Sequence, residues 1–248
     1  MRKLFSSFSN MKLLVNTIQP TGKTHSGTVI FFHGSGDTGS NLMEWIRFLI
    51  GKDMQFPHLK VIIPTAPVQP YTPLDGEPSH VWFDRLAISK KAKECQPSME
   101  NAYEYVKDLI NIEKDSGIPA NRIVIGGFSM GGALALHAGF HVNQDLAGIF
   151  TASSFLNDDS IVFETLRSRQ NEQKPLPKLL MYHGDRDSLV PLSWGKETYD
   201  KLIALDASGE FKTLKNTLHE LKAKELLEIQ EWILKLVPPL ENDIPNKL

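Results

Sequence analysis

The sequence has few of the features that mark disulfide-stabilised, metal-binding or membrane-spanning proteins. It contains one cysteine, Cys95, in 248 residues. An intramolecular disulfide and a multi-thiolate metal site are therefore excluded, and we expect no metal and a reducing, intracellular setting. Apolar runs such as residues 28–32 are far shorter than the roughly 18 residues that a membrane-spanning helix needs.

The chain also lacks an excess of charge of either sign and has no internal repeat. Its 27 basic and 29 acidic residues give a formal net charge of −2, so there is no general electrostatic footprint for nucleic acid or an anionic membrane. No period of about 20 to 50 residues recurs, which excludes solenoid and propeller architectures. Hydrophobic residues make up 41% and charged residues 23%, which is ordinary for a globular protein.

The pattern of elements indicates one α/β domain over residues 12–237, flanked by a flexible segment at 1–11 and a disordered, proline-containing tail at 238–248. Apolar runs that read as buried strands alternate with amphipathic helical patterns. The predicted strands are 28–32, 60–63, 122–126, 146–150, 178–182 and 211–214. The predicted helices are 41–50, 98–116, 133–141, 194–205 and 223–237. This alternation predicts a mainly parallel central sheet with helices on both faces, and functional loops at the carboxyl ends of the strands.

A candidate nucleophile, Ser129, stands between a predicted strand and a predicted helix. It is the centre of a Gly-x-Ser-x-Gly segment that begins at Gly127 and ends at Gly131. In a strand-to-helix turn this sharp, glycines remove the Cβ atoms that would collide, and the helix N-terminus favours developing negative charge. The alternative is a glycine-rich packing turn with an incidental serine.

A serine hydroxyl needs a general base, most often histidine. The chain has eight histidines, and in this architecture the order along the chain is serine, then acid, then histidine. His219 alone lies downstream of the acidic candidates near the later strand ends. His137 and His141 stand on the helix after Ser129, which would direct them along that helix.

Two aspartates after the strand at 178–182 compete to orient His219. Asp185 comes early in the turn, where an aspartate often bonds its own backbone, whereas Asp187 is freer to turn inward. We therefore assign Asp187 to a Ser129, Asp187, His219 triad. His183, directly after the predicted strand, is expected to bond nearby backbone instead.

The glycine-rich segment 33–39 is a candidate oxyanion loop. It lacks the Gly-Lys-Ser/Thr ending of a phosphate loop and the full dinucleotide-binding pattern. We assign the backbone N–H groups of Ser35 and Met130 as oxyanion donors. His33, at the start of the segment, is expected to be structural.

Taken together, these segments resemble the acyl-protein thioesterase and lysophospholipase/carboxylesterase group of α/β-hydrolases. The resemblance covers 33–39, 64–67, 82–84, 121–132 and 183–191, together with His219. It implies an α/β-hydrolase fold and a cytoplasmic palmitoyl-protein thioesterase or carboxylesterase without a cofactor. The implied partners are an S-acylated protein or a small acyl ester, with at most transient membrane contact through acylated substrates.

The chain departs from that group at Met130, where glutamine is usual, and at Ser35, where leucine is usual. Residues 71–80 are polar where the relatives tend to be apolar. Because burial of an acyl chain yields about 0.8 kcal/mol per CH₂, a polar pocket predicts a preference for short acyl groups over palmitate. Trp82 and Phe83 are interpreted either as core packing or as a wall of the acyl pocket.

Two alternatives to a protein thioesterase stay open from the sequence. One is a carboxylesterase or lysophospholipase that acts on small substrates. The other is a binding module on a hydrolase fold that has lost activity, which the presence of all three triad residues argues against.

Overall fold

The computed structural model describes residues 13–169 and 174–243. The strands are β1 (Leu14–Ile18), β2 (Gly27–Phe32), β3 (Leu59–Thr65), β4 (Val68–Pro70), β5 (Pro78–His80), β6 (Ile123–Phe128), β7 (Gly148–Ala152), β8 (Lys178–Gly184) and β9 (Ser208–Leu214). The α-helices are α1 (Gly39–Ile50), α2 (Gln96–Asp115), α3 (Met130–His137), α4 (Ile161–Ser168), α5 (Leu192–Ile203) and α6 (Ala223–Leu236).

Seven strands form one sheet in the order β1-β3-β2-β6-β7-β8-β9. All neighbours pair in parallel except β1 and β3, which are antiparallel. Strands β4 and β5 form a separate antiparallel hairpin. The predicted mainly parallel sheet is therefore confirmed, whereas the sequence analysis missed β1, the hairpin and helix α4.

The central strands are apolar throughout because helices cover both faces of the sheet. Alternate residues of β2 enter opposite cores: Ile30 and Phe32 on one face, Val29 and Phe31 on the other. Helices α2 to α5 contribute to the first core, and α1 and α6 to the second. Strand β1 was missed because it is an edge strand with an exposed Leu14 and lacks a continuous buried run.

The boundaries around Ser129 differ from the prediction. Strand β6 continues to Phe128 and helix α3 begins at Met130, so Ser129 alone separates them. Helix α3 is also shorter than predicted, because a π-helical segment, Ala138–Val142, follows it. The predicted helix starts at residue 133, later than the observed start at Met130, because Gly131 and Gly132 have low helix propensity. Glycine is nevertheless required at these positions, because the backbone packs closely against its neighbours.

The first residues of the predicted tail, 238–243, make contacts with the domain. The Arg122 guanidinium donates to the Pro238 carbonyl at 2.9 Å, and Ser26 hydrogen bonds to Asp243. The Leu240 N–H also donates to the Asp243 carboxylate at 2.7 Å. The predicted flexible segment at 1–11, like residues 244–248, lies outside the described residues. Among the described helices, none is long and apolar enough to cross a membrane.

Glu225 is a buried acid in the first turn of α6. Its Oε1 atom accepts the Lys222 N–H at 2.7 Å and so satisfies a backbone donor at the start of the helix. Burial raises the pKa of the Glu225 carboxyl to about 8, against the opposing effect of the Lys222 contacts. The folded protein therefore holds a proton on this group where the unfolded chain, with a pKa of about 4.3, has lost it.

We expect the Glu225 carboxyl to make the free energy of unfolding decrease as pH rises from about 4.5 to 8, since a raised carboxyl pKa stabilises the fold only while the proton is retained. Buried histidines with a lowered pKa, such as His183, act in the opposite direction over this interval and do so equally in the wild type and in a Glu225 variant. Glu225→Gln keeps an acceptor oxygen and has no proton to lose, so its decline over this interval should be smaller than that of the wild type. Urea unfolding at pH 5 and pH 8 measures the difference. Glu228→Gln, on the same helix, is the control, because hydrogen bonds lower the pKa of Glu228. Equal declines in the wild type and Glu225→Gln would contradict the assignment.

Candidate active site

Ser129 forms a strained elbow between β6 and α3. Its backbone has φ 52° and ψ −118°, a conformation that non-glycine residues rarely adopt. The turn is possible because glycines flank it at close approach. A Cβ on Gly127 would lie 2.2 Å from the carbonyl carbon of Gly131, and one on Gly131 would lie 2.3 Å from the carbonyl oxygen of Phe32. The glycines therefore have the steric role that the motif predicted.

The structure brings Ser129, His219 and Asp187 together in one hydrogen-bonded chain. His219 Nε2 lies 2.9 Å from Ser129 Oγ, and His219 Nδ1 lies 2.7 Å from Asp187 Oδ2. Because an ionised carboxylate only accepts, Nδ1 carries the proton and Nε2 is the acceptor for the serine hydroxyl. The Phe128 ring packs against the imidazole, with ring centroids 4.9 Å apart.

Asp187 is held by its own loop after β8. Its Oδ1 atom accepts the N–H groups of Val190 at 2.8 Å and Leu189 at 3.1 Å. Burial alone would raise the pKa of the Asp187 carboxyl, but the hydrogen bonds from His219 and Val190 outweigh burial and lower it. Asp187 is therefore ionised at neutral pH and its position is fixed before any substrate binds.

His183 supports this carboxylate from inside the sheet. Its Nε2–H donates to the Val190 carbonyl at 2.8 Å, and the same nitrogen lies 3.6 Å from Asp187 Oδ2. Burial lowers the pKa of His183, so the ring is neutral and packs without adding charge. The backbone contact expected for His183 is present, although the residue lies within β8.

His33 fixes the start of the candidate oxyanion loop. Its Nδ1–H donates to the Gly34 carbonyl at 2.7 Å, and its Nε2 accepts the Ala66 N–H at 2.9 Å. The Trp82 indole N–H donates to the His33 carbonyl at 2.9 Å. Since both ring nitrogens of His33 are engaged, the residue is structural, as its position suggested.

The β4–β5 hairpin holds the loop from the other side. The Gly36 N–H donates to the His80 carbonyl at 2.9 Å, and a His80 ring nitrogen bonds the Ala66 carbonyl at 2.6 Å. The loop that contains Ser35 is thus anchored at His33 and at Gly36.

The two predicted oxyanion donors lie beside the serine. Ser35, Ser129 and Met130 line one cleft. The Met130 N–H belongs to the first turn of α3, where no preceding helical carbonyl can accept it. A helix N-terminus also favours negative charge. The Met130 N–H and the start of α3 therefore favour an anion beside Ser129.

Most of the residues that line this cleft were not predicted from the sequence. The additional lining residues are Tyr71, Arg85, Ile88, Phe155, Leu189 and Val190. Phe155 and Leu189 follow strands β7 and β8, so the rule that sites form at the carboxyl ends of strands could have found them. No sequence signal distinguished Arg85.

Trp82 and Phe83, proposed as possible pocket walls, lie in the core. Trp82 is completely buried and packs against Phe32 with ring centroids 5.0 Å apart, and Phe83 is 4% exposed. Neither is among the residues that line the cleft at Ser129. Their positions fit the packing interpretation of the aromatic pair.

The polar segment 71–80 was expected to line the acyl pocket, but most of it lies outside the cleft at Ser129. Tyr71 lines the cleft, but the other residues form the hairpin and its connecting turn. Thr72, for example, bonds Asp84 through its N–H at 2.8 Å and its hydroxyl at 2.7 Å. The polarity of the cleft therefore comes from Ser35, Tyr71 and Arg85.

Within residues 13–169 and 174–243, no group of three or more His, Cys, Asp or Glu residues could hold a metal ion.

Comparison with known proteins identifies a family and close relatives. A family model described as Phospholipase/Carboxylesterase matches residues 14–237. Over 221 residues the chain is 44% identical to lysophospholipase-like protein 1 of Mus musculus, covering 89% of this chain and 91% of that protein. It is 35% identical over 237 residues to acyl-protein thioesterase 1 of Neurospora crassa, covering 92% and 94%. The crystal structure of acyl-protein thioesterase 2 of Zea mays aligns with a TM-score of 0.75 at 25% identity, covering 90% of this chain and 99% of that one. The resemblance indicated by the motifs is confirmed.

Replacement of the two competing aspartates tests which one orients His219. Asp187→Asn would leave the wrong His219 tautomer facing Ser129, so we expect the labelling rate of Ser129 by a fluorophosphonate to fall by about 10³- to 10⁴-fold. Asp185→Asn is the matched control, because among the described residues the Asp185 carboxylate accepts the Thr217 N–H at 3.4 Å and makes no contact with His219. The control should label within about threefold of the wild type. A large loss in Asp185→Asn and none in Asp187→Asn would reverse the assignment.

Proposed function

The chain belongs to the phospholipase/carboxylesterase family, and from that membership we propose that it is a serine hydrolase that cleaves thioester and ester bonds through an acyl-serine intermediate. In this proposal Ser129 is the nucleophile, His219 the general base and Asp187 the orienting carboxylate. The observation that carries it is the continuous hydrogen-bonded chain from Ser129 Oγ through His219 to Asp187.

The first half of the reaction forms the acyl-enzyme. His219 Nε2 takes the hydroxyl proton as Ser129 Oγ attacks the acyl carbonyl carbon, and Asp187 stabilises the imidazolium that results. The carbonyl oxygen becomes an oxyanion, which accepts hydrogen bonds from the N–H groups of Ser35 and Met130. The bond to the leaving group then breaks, and the leaving thiolate or alkoxide receives the proton from His219.

The second half releases the acid. Water gives its proton to His219 Nε2 and attacks the acyl carbon, and the carbon–oxygen bond to Ser129 breaks as the serine oxygen regains the proton. Thioesters suit this machinery, because a thiol leaving group has a pKa near 8.5 and needs less protonation than an alkoxide.

S-acylated proteins are the proposed macromolecular substrates. Support comes from two relatives named as acyl-protein thioesterases, at 33% and 35% identity over about nine-tenths of this chain. Contact with a membrane surface is then needed only where an acylated substrate is anchored there. Small acyl esters and lysophospholipids are the alternative substrates, and the relative named lysophospholipase-like protein 1 makes them the natural comparison.

We further propose a preference for short acyl groups. The cleft beside Ser129 combines apolar side chains with Ser35, Tyr71 and the guanidinium of Arg85. Long methylene chains would lose part of the transfer free energy of about 0.8 kcal/mol per CH₂ wherever they met these polar groups.

Ser129→Ala tests the nucleophile. Alanine can occupy the same backbone conformation, so we expect an unchanged thermal midpoint together with loss of turnover by at least about 10⁴-fold and loss of fluorophosphonate labelling. Burst kinetics retained in this variant would refute the assignment of Ser129.

An acyl-length series tests the substrate preference. The thioesters of the series share the same thiol leaving group. We expect kcat/KM to be highest for acyl chains of about two to six carbons and to fall toward palmitoyl, because longer chains would meet the polar groups of the cleft. Stopped assays with an S-acyl peptide and a lysophospholipid provide the comparison of substrate classes. A steady rise in kcat/KM from acetyl to palmitoyl would contradict the short-chain preference but would leave the serine hydrolase assignment in place.

A further inference from the structure

Arg85 is a buried cation beside the candidate nucleophile. It is 7% exposed, and its Nη1 atom is buried without a hydrogen-bond acceptor in the described residues. Its guanidinium carbon lies 4.5 Å from the ring centroid of Phe155 and 5.3 Å from that of Phe83. Aromatic faces attract a cation, but they do not accept the directional N–H bonds of a guanidinium.

The acidic side chains around Arg85 make their close contacts with other groups, although the charge of Glu94 still favours the protonated guanidinium and opposes the effect of burial on its pKa. The Glu94 carboxylate lies 3.0 Å from His137 Nε2 and accepts the Ile161 N–H at 3.1 Å. Burial by itself would raise the pKa of Glu94, but contacts such as that with His137 lower it to about 2. Asp84 is occupied by two bonds from Thr72.

The other electrostatic neighbour of Arg85, Tyr71, brings no negative charge. Burial raises the pKa of its phenol, so the hydroxyl is neutral at physiological pH. Burial lowers the pKa of Arg85 to about 10, which still leaves the guanidinium protonated. The cleft therefore contains a positive charge that is already largely desolvated and lacks an ion-pair partner in the described residues.

We propose that Arg85 is a specificity-determining residue that binds a carboxylate at the far end of a short acyl group held on Ser129. The proposal rests on the proposed acyl-serine chemistry and names a substrate class for it: thioesters or esters of short dicarboxylic acids. Arg85 and Ser129 line the same cleft, and the acyl chain of such a substrate lies within it. Guanidinium and carboxylate also match as paired donors and acceptors.

The burial of Arg85 favours the acyl side over the leaving-group side. A protein or headgroup leaving group is large and must stay in solvent, whereas a short acyl group can be enclosed. Phe155 and Val190, which also line the cleft, are apolar neighbours for the methylenes between the two carbonyl carbons. Binding requires little further desolvation of the guanidinium, because folding has already removed most of its water.

The test compares glutaryl and valeryl thioesters, which have five carbons each and the same N-acetylcysteamine leaving group. With the uncatalysed rate subtracted, we expect the wild type to favour glutaryl by about ten- to hundredfold in kcat/KM, mainly through KM. Arg85→Met should reduce the glutaryl-to-valeryl ratio by a similar factor, and Arg85→Lys should restore part of it. Lys91→Met, which removes an exposed cation, is the control and should keep the wild-type ratio.

Each other outcome has a distinct meaning. Hydrolysis of valeryl with rejection of glutaryl, or a ratio unchanged in Arg85→Met, would overturn the role of Arg85 and leave the proposed hydrolase function intact. Hydrolysis of neither thioester would overturn the role of Arg85, and a lack of fluorophosphonate labelling of Ser129 in the same preparation would overturn the proposed function as well. A butyryl thioester of phosphopantetheine carries its anion on the leaving group, and selective slowing of this substrate in Arg85→Met would place the anion on the wrong side for the proposal. Thermal midpoints are measured for all variants. The midpoint of Arg85→Met should be no lower than that of the wild type, since this change replaces an unpaired buried charge with an apolar side chain.

Discussion

The close approach of two backbone segments at Gly131 is the constraint on which the rest of the site depends. The first turn of α3 lies so near the end of β2 that a single Cβ would meet the carbonyl oxygens of Phe32 and His33 at 2.3 and 2.5 Å. This contact sets the distance between the serine elbow and the loop that contains Ser35. Both segments follow neighbouring parallel strands. The sheet register and the lack of a side chain at Gly131 therefore together determine the position of the proposed oxyanion.

The fold and the triad were largely predictable because both follow from local, strongly patterned sequence. Buried parallel strands are apolar throughout, and the Gly-x-Ser-x-Gly segment has few other structural explanations. His219 has no such local signal, since a histidine in a loop is usually solvated. It was found through the order of elements along the chain, and the structure places it 2.9 Å from Ser129. The choice of Asp187 over Asp185 depended on turn chemistry, and the loop contacts of Asp187 supply its physical reason.

The cleft was less predictable because its walls come from segments distant in sequence. Polarity in residues 71–80 suggested a polar pocket, but most of those side chains belong to the hairpin, and Arg85 is the charged group that reaches the cleft. Similarly, Trp82 and Phe83 are aromatic neighbours of a predicted functional segment and yet belong to the core. Sequence patterns report whether a side chain prefers burial, but they do not report which of several buried surfaces it will join.

The placement of His219 after β9 has a consequence for the timing of synthesis. Translation delivers the serine elbow and the oxyanion loop well before the imidazole, and β9 can pair only with β8 within the sheet. A nascent chain would therefore carry Ser129 without its base until the last strand is added at the sheet edge. Under the proposed mechanism, a chain that lacks β9 and the loop after it has no base for Ser129 and therefore no activated serine.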